Sequence, residues 1–258
     1  MQQIADATGT SKPTLVRIAK HLGFQGWAQL TKTYLAELAR EETNRPAVDP
    51  NVPFSATSSV TDIAESICKV KMEAARQQWQ LLEQADLIKA TDLMWHADRL
   101  ALFGISINAT LLELFQRKLF TIGISAILVP QAESGFVAEM LTERDCALMV
   151  SYSGDNSMRA PMRQLETLKQ NRVPVIALTS MGDNYLRRMA DCTLTILSNE
   201  NLYSKISTFS TEEAITLILD TLFSCYFARA YNRNWNYKVS AAGTSEIERR
   251  AEHGRIER

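Results

Sequence analysis

Residues 148–161 read LMVSYSGDNSMRAP: an apolar run stops at a cluster of Ser, Gly, Asp and Asn, and a new segment begins. A short, almost unbroken apolar run suits a β-strand covered on both faces, and the small polar residues after it suit a tight turn. The same unit recurs along the chain as RLALFG (99–104), SAILV (125–129), CALMVS (146–151), VPVIALTS (173–180) and CTLTIL (192–197). Helical segments of ten or more residues are expected between most of them. Strands alternating with helices predict an α/β fold, a doubly wound α-β-α domain on a five-stranded parallel sheet with right-handed crossovers. In such a sheet ligands bind where strand ends turn into helix N-termini. The serines at 151 and 153 could therefore be a nucleophile, a phosphate cradle or only a turn.

The chain has 258 residues, 46% of them hydrophobic, enough for a medium domain and a small one. A net charge of -1 confines any nucleic-acid surface to a local basic cluster. Cys68, Cys146, Cys192 and Cys225 are widely spaced without C-x-x-C, which predicts small buried apolar residues in a reducing cytosol, with no metal site and no disulfide framework. No apolar run approaches the ~20 residues that span a bilayer, and the start lacks a signal-peptide pattern, so a cytoplasmic location is expected.

The clearest break is EETNRPAVDPNVPFSATSS (41–59), where three prolines disfavour helix. It predicts a small all-α domain over 1–42, a linker over 43–59, an α/β domain over 60–240 and a charged tail over 241–258, frayed or disordered. Thr61 and Asp62 are candidate caps for a helix bearing Ile63, Ile67, Val70 and Ala74, and a second helix is expected around Leu87 to Trp95. A closing helix from Thr211 to Asn234 carries Ile215, Ile218, Leu219, Leu222 and Tyr226 on one stripe, suited to packing on the sheet or to a dimer contact.

The first 23 residues, MQQIADATGTSKPTLVRIAKHLG, hold two short helical patterns around a tight turn. Ala5 permits a close helix crossing, Gly9 can take the positive φ of the turn, and Ile4, Leu15 and Ile18 are expected as the inter-helix core. Ser11 is the candidate N-cap, Pro13 suits the first turn and Gly23 can end the helix. A helix-turn-helix follows, with residues 11–22 as recognition helix. Ser11, Lys12, Thr14, Arg17 and Lys20 are the candidates to meet base edges or phosphates in a major groove. The alternative is an αα-hairpin with a solvated face.

Followed by an α/β domain, VRIAKHLGFQGWAQL resembles the RpiR family of bacterial transcriptional regulators, whose helix-turn-helix carries a motif like vSxxTvxRfxkkLGfxGfxeLK ahead of a sugar isomerase (SIS) domain. Ser11, Thr14, Val16, Arg17, Lys20, Leu22, Gly23, Phe24, Gly26, Trp27 and Leu30 carry the match. Members usually have further helices before the turn motif, so the N-terminal domain is expected to be incomplete. SIS domains commonly use a G-x-S or G-x-G-x-S loop after the first strand and an S-x-S-G-x-[ST] loop later. The resemblance thus implies phosphosugar binding by Ser106, with Asn108 at the other serine position, and by Ser151, Ser153 and Gly154. Asn156 stands where Thr or Ser is usual, and it could instead cap a helix starting near Ser157.

Catalysis needs a base near the serine, and His21, His96 and His253 are all expected away from these loops. Glu133, Glu212 and Glu213 are the acid/base candidates for an isomerase, although carboxylates in the first turn of a helix commonly complement its dipole. No catalytic residue and no cofactor is assigned. The expectation is a DNA-binding regulator acting as a homodimer or homotetramer on an operator, with a sugar-phosphate effector and no membrane contact. A sugar-phosphate isomerase, or a SIS domain that serves only dimerisation, are the rivals.

Overall fold

A computed structural model describes residues 1–43 and 48–241 of the chain. It divides into two units, 1–47 and 48–258.

In the first unit α1 (Gln2–Ala7) and α2 (Lys12–His21) flank a tight turn, and α3 (Trp27–Thr43) follows. Gly9 takes φ +62° in the turn, where the Thr10 amide donates to the Ala5 carbonyl. Ser11 caps α2 by accepting from the Thr14 amide, Pro13 lies in its first turn, and Gly23 at φ +85° ends it. The expected inter-helix core is corrected: Ala5, Leu15 and Ala19 are buried, whereas Ile4 and Ile18 are 42% and 43% exposed. Leu15 and Ala19 are spaced i, i+4 and share one face, and Ile18 sits one position round the helix. Small side chains hold the seam and bring the helices close, which leaves the isoleucines on its flank.

In the second unit β1 (Leu100–Phe103), β2 (Ala126–Leu128), β3 (Cys146–Val150), β4 (Val175–Ser180) and β5 (Cys192–Ile196) form one sheet in the order β2-β1-β3-β4-β5. Every pairing is parallel, and a row of partners runs Leu128, Leu102, Leu148, Ile176, Cys192. Side chains alternate between two cores. Leu100, Leu102, Leu148, Val150, Ile176 and Leu194 face one, and Ala101, Phe103, Met149, Val175 and Ala177 the other. Each fully buried large side chain contributes about 1.5–3 kcal/mol, so the two faces dominate the stability.

The first face is covered by α5 (Gln84–His96), α6 (Ile107–Phe120) and α10 (Phe209–Arg229), with α4 (Val60–Leu81) packed on α10, and the second by α7 (Ser134–Met140), α8 (Leu165–Gln170) and α9 (Tyr185–Met189). The helices of the second face hold 7, 6 and 5 residues, shorter than the spacing of the strands suggested. Three-residue 3-10 turns after Pro130 and Pro161 take up part of the connections. The cap of α4 is Ser59, not Thr61: Ser59 and Asp62 form a reciprocal capping box. Of that helix's expected face Val70 and Ala74 are buried, while Ile63 and Ile67 are half-buried.

The stripe of the closing helix is buried as Ile215, Ile218, Leu219, Leu222 and Tyr226. The helix itself stops at Arg229 and a separate helix, α11, runs over 231–241. Residues 48–59, expected as linker, belong to the second unit, with Pro50, Asn51 and Pro53 buried. The charged tail from 242 onward and His253 lie outside the described residues. Of the cysteines Cys146 and Cys192 are buried, Cys225 is half-buried, and Cys68 is exposed against expectation. None of the described helices is long and apolar enough to cross a membrane.

Candidate functional site

The order of the strands reverses between β1 and β3, which makes the C-terminal ends of these neighbours the topological switch point of the sheet. The loops expected to bind a ligand flank that crevice. After β1 the chain passes Gly104 and enters α6 through its N-cap, Ser106. A Cβ on Gly104 would stand 2.8 Å from Leu112 Cδ1 and 3.2 Å from the Ala109 nitrogen, so any larger residue would have to displace Leu112 and crowd the first turn of α6. Ser106 is exposed at φ 53°, ψ -132°, a region costly for a residue with a Cβ, and its hydroxyl makes no capping bond. The Ser106 hydroxyl thus stands at the N-terminus of α6, where the Asn108 amide donates to the Ile105 carbonyl and the Ala109 amide to the Ser106 carbonyl. Asn108 reaches across the switch point, its Nδ2 donating to the Val150 carbonyl at 3.5 Å.

After β3 the chain turns at once. Ser151 is buried and its Oγ accepts from the Gly154 amide at 3.3 Å. Ser153 is exposed. Gly154 is buried at φ +61°, and a Cβ there would lie 2.5 Å from Asn184 Oδ1 and 2.6 Å from Thr179 Oγ1. Thr179 and the Ser180 amide both donate to the Tyr152 carbonyl. Asn184 caps α9 by accepting from the Arg187 amide, and the Leu186 amide donates to the Gly154 carbonyl. The end of β4 and the start of α9 therefore hold the serine turn from below.

Asn156 does not cap a helix at Ser157. Its Oδ1 accepts from the Met158 amide at 3.0 Å in an exposed turn, and the chain stays non-helical until the 3-10 turn at Met162. Asn and Asp side chains stabilise such local turns well, and that competes with helix initiation. Ser106 and, in the first turn of α6, Asn108 thus lie at one strand end of the switch point, and Ser151, Ser153 and Gly154 at the other. Asn156 lies further along, on an exposed stretch.

The acid/base candidates are dispersed. Glu133 is exposed in the turn after β2. Glu213 pairs with Lys71 of α4 at 3.0 Å, and Glu212 accepts from the Thr208 hydroxyl. His96 ends α5 just before β1, at the opposite edge of the sheet from the serine loops, where its Nδ1 meets the Asp92 carbonyl. His21 is exposed on α2. No group of three metal-ligating side chains occurs among the described residues.

Glu200 did not stand out in the sequence. Its carboxylate is 0% exposed and accepts from the Ser210 amide at 2.6 Å, from the Thr211 amide and hydroxyl, and from Lys205. It neutralises the N-terminus of α10 from within the protein. Tyr152, Thr179 and Asn184 were missed too; an Asn directly before the helical NYLRRM was a readable cap signal, and the others had none.

In the first unit Lys12, Arg17 and Lys20 are exposed along α2. Ser11 and Thr14 share a hydroxyl hydrogen bond of 2.9 Å at its N-terminus. Ser11 is thereby engaged as the cap, and the three cations are exposed to solvent.

Comparison with solved structures places this architecture among known ones. The NanR protein of Vibrio vulnificus, complexed with ManNAc-6P, matches with TM-score 0.65 at 16% identity over 95% of this chain and 84% of that one. The sugar isomerase domain of an RpiR transcription factor from Sphaerobacter thermophilus matches with TM-score 0.59 at 17% identity over 72% and 98%. A phosphoheptose isomerase from Francisella tularensis matches with TM-score 0.54 at 19% identity over 66% and 98%. At these identities the likeness is one of fold, shared by a regulator and an enzyme. The SIS-domain family model matches residues 93–224, just over half of the chain, from the last turns of α5 through both serine loops into α10. The chain belongs to the SIS-domain family.

Proposed function

We propose that this protein is a cytoplasmic, DNA-binding transcriptional regulator of RpiR type whose SIS domain binds a sugar-phosphate effector. The observation that carries the reading is the pair of loops at the switch point: Ser106, at a helix N-terminus without a side-chain cap, and the Ser151–Gly154 turn follow the C-terminal ends of the neighbouring parallel strands β1 and β3. Serine hydroxyls and a helix dipole at these strand ends suit an anion in this reading. The hydroxyls of Ser106, Ser151 and Ser153 hold the phosphate in this reading, Gly154 shapes the turn that presents them, Asn108 lines the sugar side, and Asn156 has at most a peripheral part. Lys12, Thr14 and Arg17 contact DNA, with Ser11 and Lys20 at the phosphate backbone. One short recognition helix offers too little surface for useful specificity, so the active species is a homodimer or homotetramer on a two-fold operator.

Two neighbours of the same fold support the reading, NanR with its bound ManNAc-6P and the RpiR transcription factor. Against an isomerase, Glu212 and Glu213 are already engaged by Thr208 and Lys71, and no histidine of the described residues adjoins Ser151. The test is calorimetric titration with ManNAc-6P and a panel of hexose, pentose and heptose phosphates, alongside a mobility shift on the DNA upstream of the gene at low and high salt. Binding of one phosphosugar that alters the shift is expected. Turnover of a phosphosugar would transfer the assignment to the isomerases, and binding of neither ligand would leave a SIS domain used for dimerisation.

A further inference from the structure

Tyr152 sits between the two serines of the β3 turn, and its side chain leaves the loop. The hydroxyl donates to the Ser198 carbonyl at 3.3 Å, on the segment between β5 and α10. Ser198 Oγ in turn meets Thr211 Oγ1 at 2.7 Å and accepts from the Glu200 amide at 3.2 Å. The buried carboxylate of Glu200 fixes the far side of this segment to the N-terminus of α10.

The same segment is clasped from outside by Asn51. This side chain is 9% exposed and fully used: Oδ1 accepts from the Asn201 amide at 2.6 Å, and Nδ2 donates to the Asn199 carbonyl at 3.3 Å. Its own carbonyl accepts from the Ile206 amide at 2.8 Å. Asn51 lies three residues after Val48, where the chain from the N-terminal unit enters the second unit. Three hydrogen bonds from one residue to a loop about 150 positions distant in sequence are more than chain connectivity requires.

We infer that the segment over 198–206 is a strap that couples the serine loop to the incoming chain at Asn51, through the Tyr152–Ser198 hydrogen bond. The inference rests on the effector reading above for its purpose, but its physics does not need a ligand. An anion drawn onto Ser151 and Ser153 acts on the backbone to either side of Tyr152. The ring packs against the sheet core and its carbonyl is held by Thr179 and Ser180, so the displacement is expressed at the hydroxyl and then at Ser198. Coupling of this kind is reciprocal: loosening the clasp must loosen the serine loop by the same amount.

Hydrogen exchange on the full chain tests this with two variants. Tyr152→Phe keeps the ring and removes the bond to Ser198; Asn51→Ala removes two of the three clasp bonds. Losing one ordinary hydrogen bond corresponds to roughly fivefold faster opening. Tyr152→Phe should speed exchange about fivefold over both 198–206 and 48–53, with β2 unchanged. Asn51→Ala should speed exchange over 151–154. If Tyr152→Phe leaves 48–53 at the native rate, or Asn51→Ala leaves 151–154 so, the strap is overturned. ManNAc-6P and inorganic phosphate, titrated separately into the native protein, keep the two ideas apart. Coupled exchange without binding of either supports the strap and counts against the effector reading. Binding with uncoupled exchange keeps that reading and removes the strap.

Discussion

Gly154 and Asn184 lie so close that a β-carbon on the glycine would stand 2.5 Å from the Asn184 Oδ1 that caps α9. The serine turn after β3 and the helix after β4 are thus one packed unit. Gly154→Ala meets both this contact and a left-handed backbone at φ +61°. A destabilisation of about 2–4 kcal/mol is expected, the sum of the αL cost and the overpacking. Thermal or urea unfolding measures it. Gly135, where a Cβ would meet nothing within 4 Å, is the control and should lose far less when changed to Ala.

Ser106 stores strain in a conformation that glycine adopts freely, and its hydroxyl satisfies no internal partner. Ser106→Gly should therefore raise stability by about 1 kcal/mol while weakening phosphosugar binding about tenfold. Opposite signs in unfolding and calorimetric titration mark a residue kept for its ligand. A variant that loses both, or neither, would assign Ser106 to the fold alone.

The five strands were legible because each is a short apolar run buried on two faces, and LMV ahead of Ser151 could hardly be placed otherwise. Ser11 and Gly23 were legible as helix signals for a local reason, since capping and positive φ depend on neighbours in sequence. What failed depended on packing at a distance. Ile4 and Ile18 look like core by hydrophobicity, yet Ala5 and Ala19 take the seam because small side chains allow the closer approach. Asn156 reads as a cap until its own turn claims it. Glu200 reads as one more surface carboxylate, and its burial follows only from where β5 delivers it to α10.

Arg17 is exposed on α2, away from the buried Ala5–Leu15–Ala19 seam. Arg17→Ala should leave the melting temperature unchanged, because an exposed residue outside the core contributes within about 0.5 kcal/mol. On the DNA-binding reading proposed above, affinity for the operator should fall, and with Arg17 on a phosphate the slope of log affinity against log salt should drop by about 1. Mobility shifts across a salt series measure both. An unchanged slope and affinity would remove Arg17 from the interface.

Cys68 is exposed on α4, Cys225 is half-buried, and Cys146 and Cys192 are enclosed by the sheet core. Burial pushes the Cys192 thiol up to about 11 and that of Cys146 higher still. A thiol reagent at pH 8 should therefore modify Cys68 rapidly, Cys225 slowly, and the other two only after unfolding. Mass spectrometry of the labelled peptides gives the order. Early modification of Cys146 would contradict the packing of β3.

Arg99 and Asp145 join the strand starts of β1 and β3 at the edge of the sheet away from the serine loops. The guanidinium donates from Nε at 2.8 Å and from Nη2 at 2.7 Å to a carboxylate only 1% exposed. Burial by itself would raise the Asp145 carboxyl, but the Arg99 bonds and those from the Thr142 amide and hydroxyl together hold it below its ordinary value. A carboxyl depressed in the folded state stabilises the fold fully above its unfolded pKa, about 3.9, and loses that contribution as pH falls through the lower folded value. Stability should therefore decline below about pH 4 more steeply in the native protein than in Asp145→Asn. At pH 7 the variant should already be less stable by about 2–3 kcal/mol, since Arg99 and the Thr142 amide lose a charged acceptor. Urea unfolding at pH 7 and at pH 3 measures the difference, which should narrow at the lower pH. A gap between the two proteins that stays constant from pH 7 to pH 3 would show that the Asp145 carboxyl is not depressed by folding, and a gap that widens would show that it is held protonated.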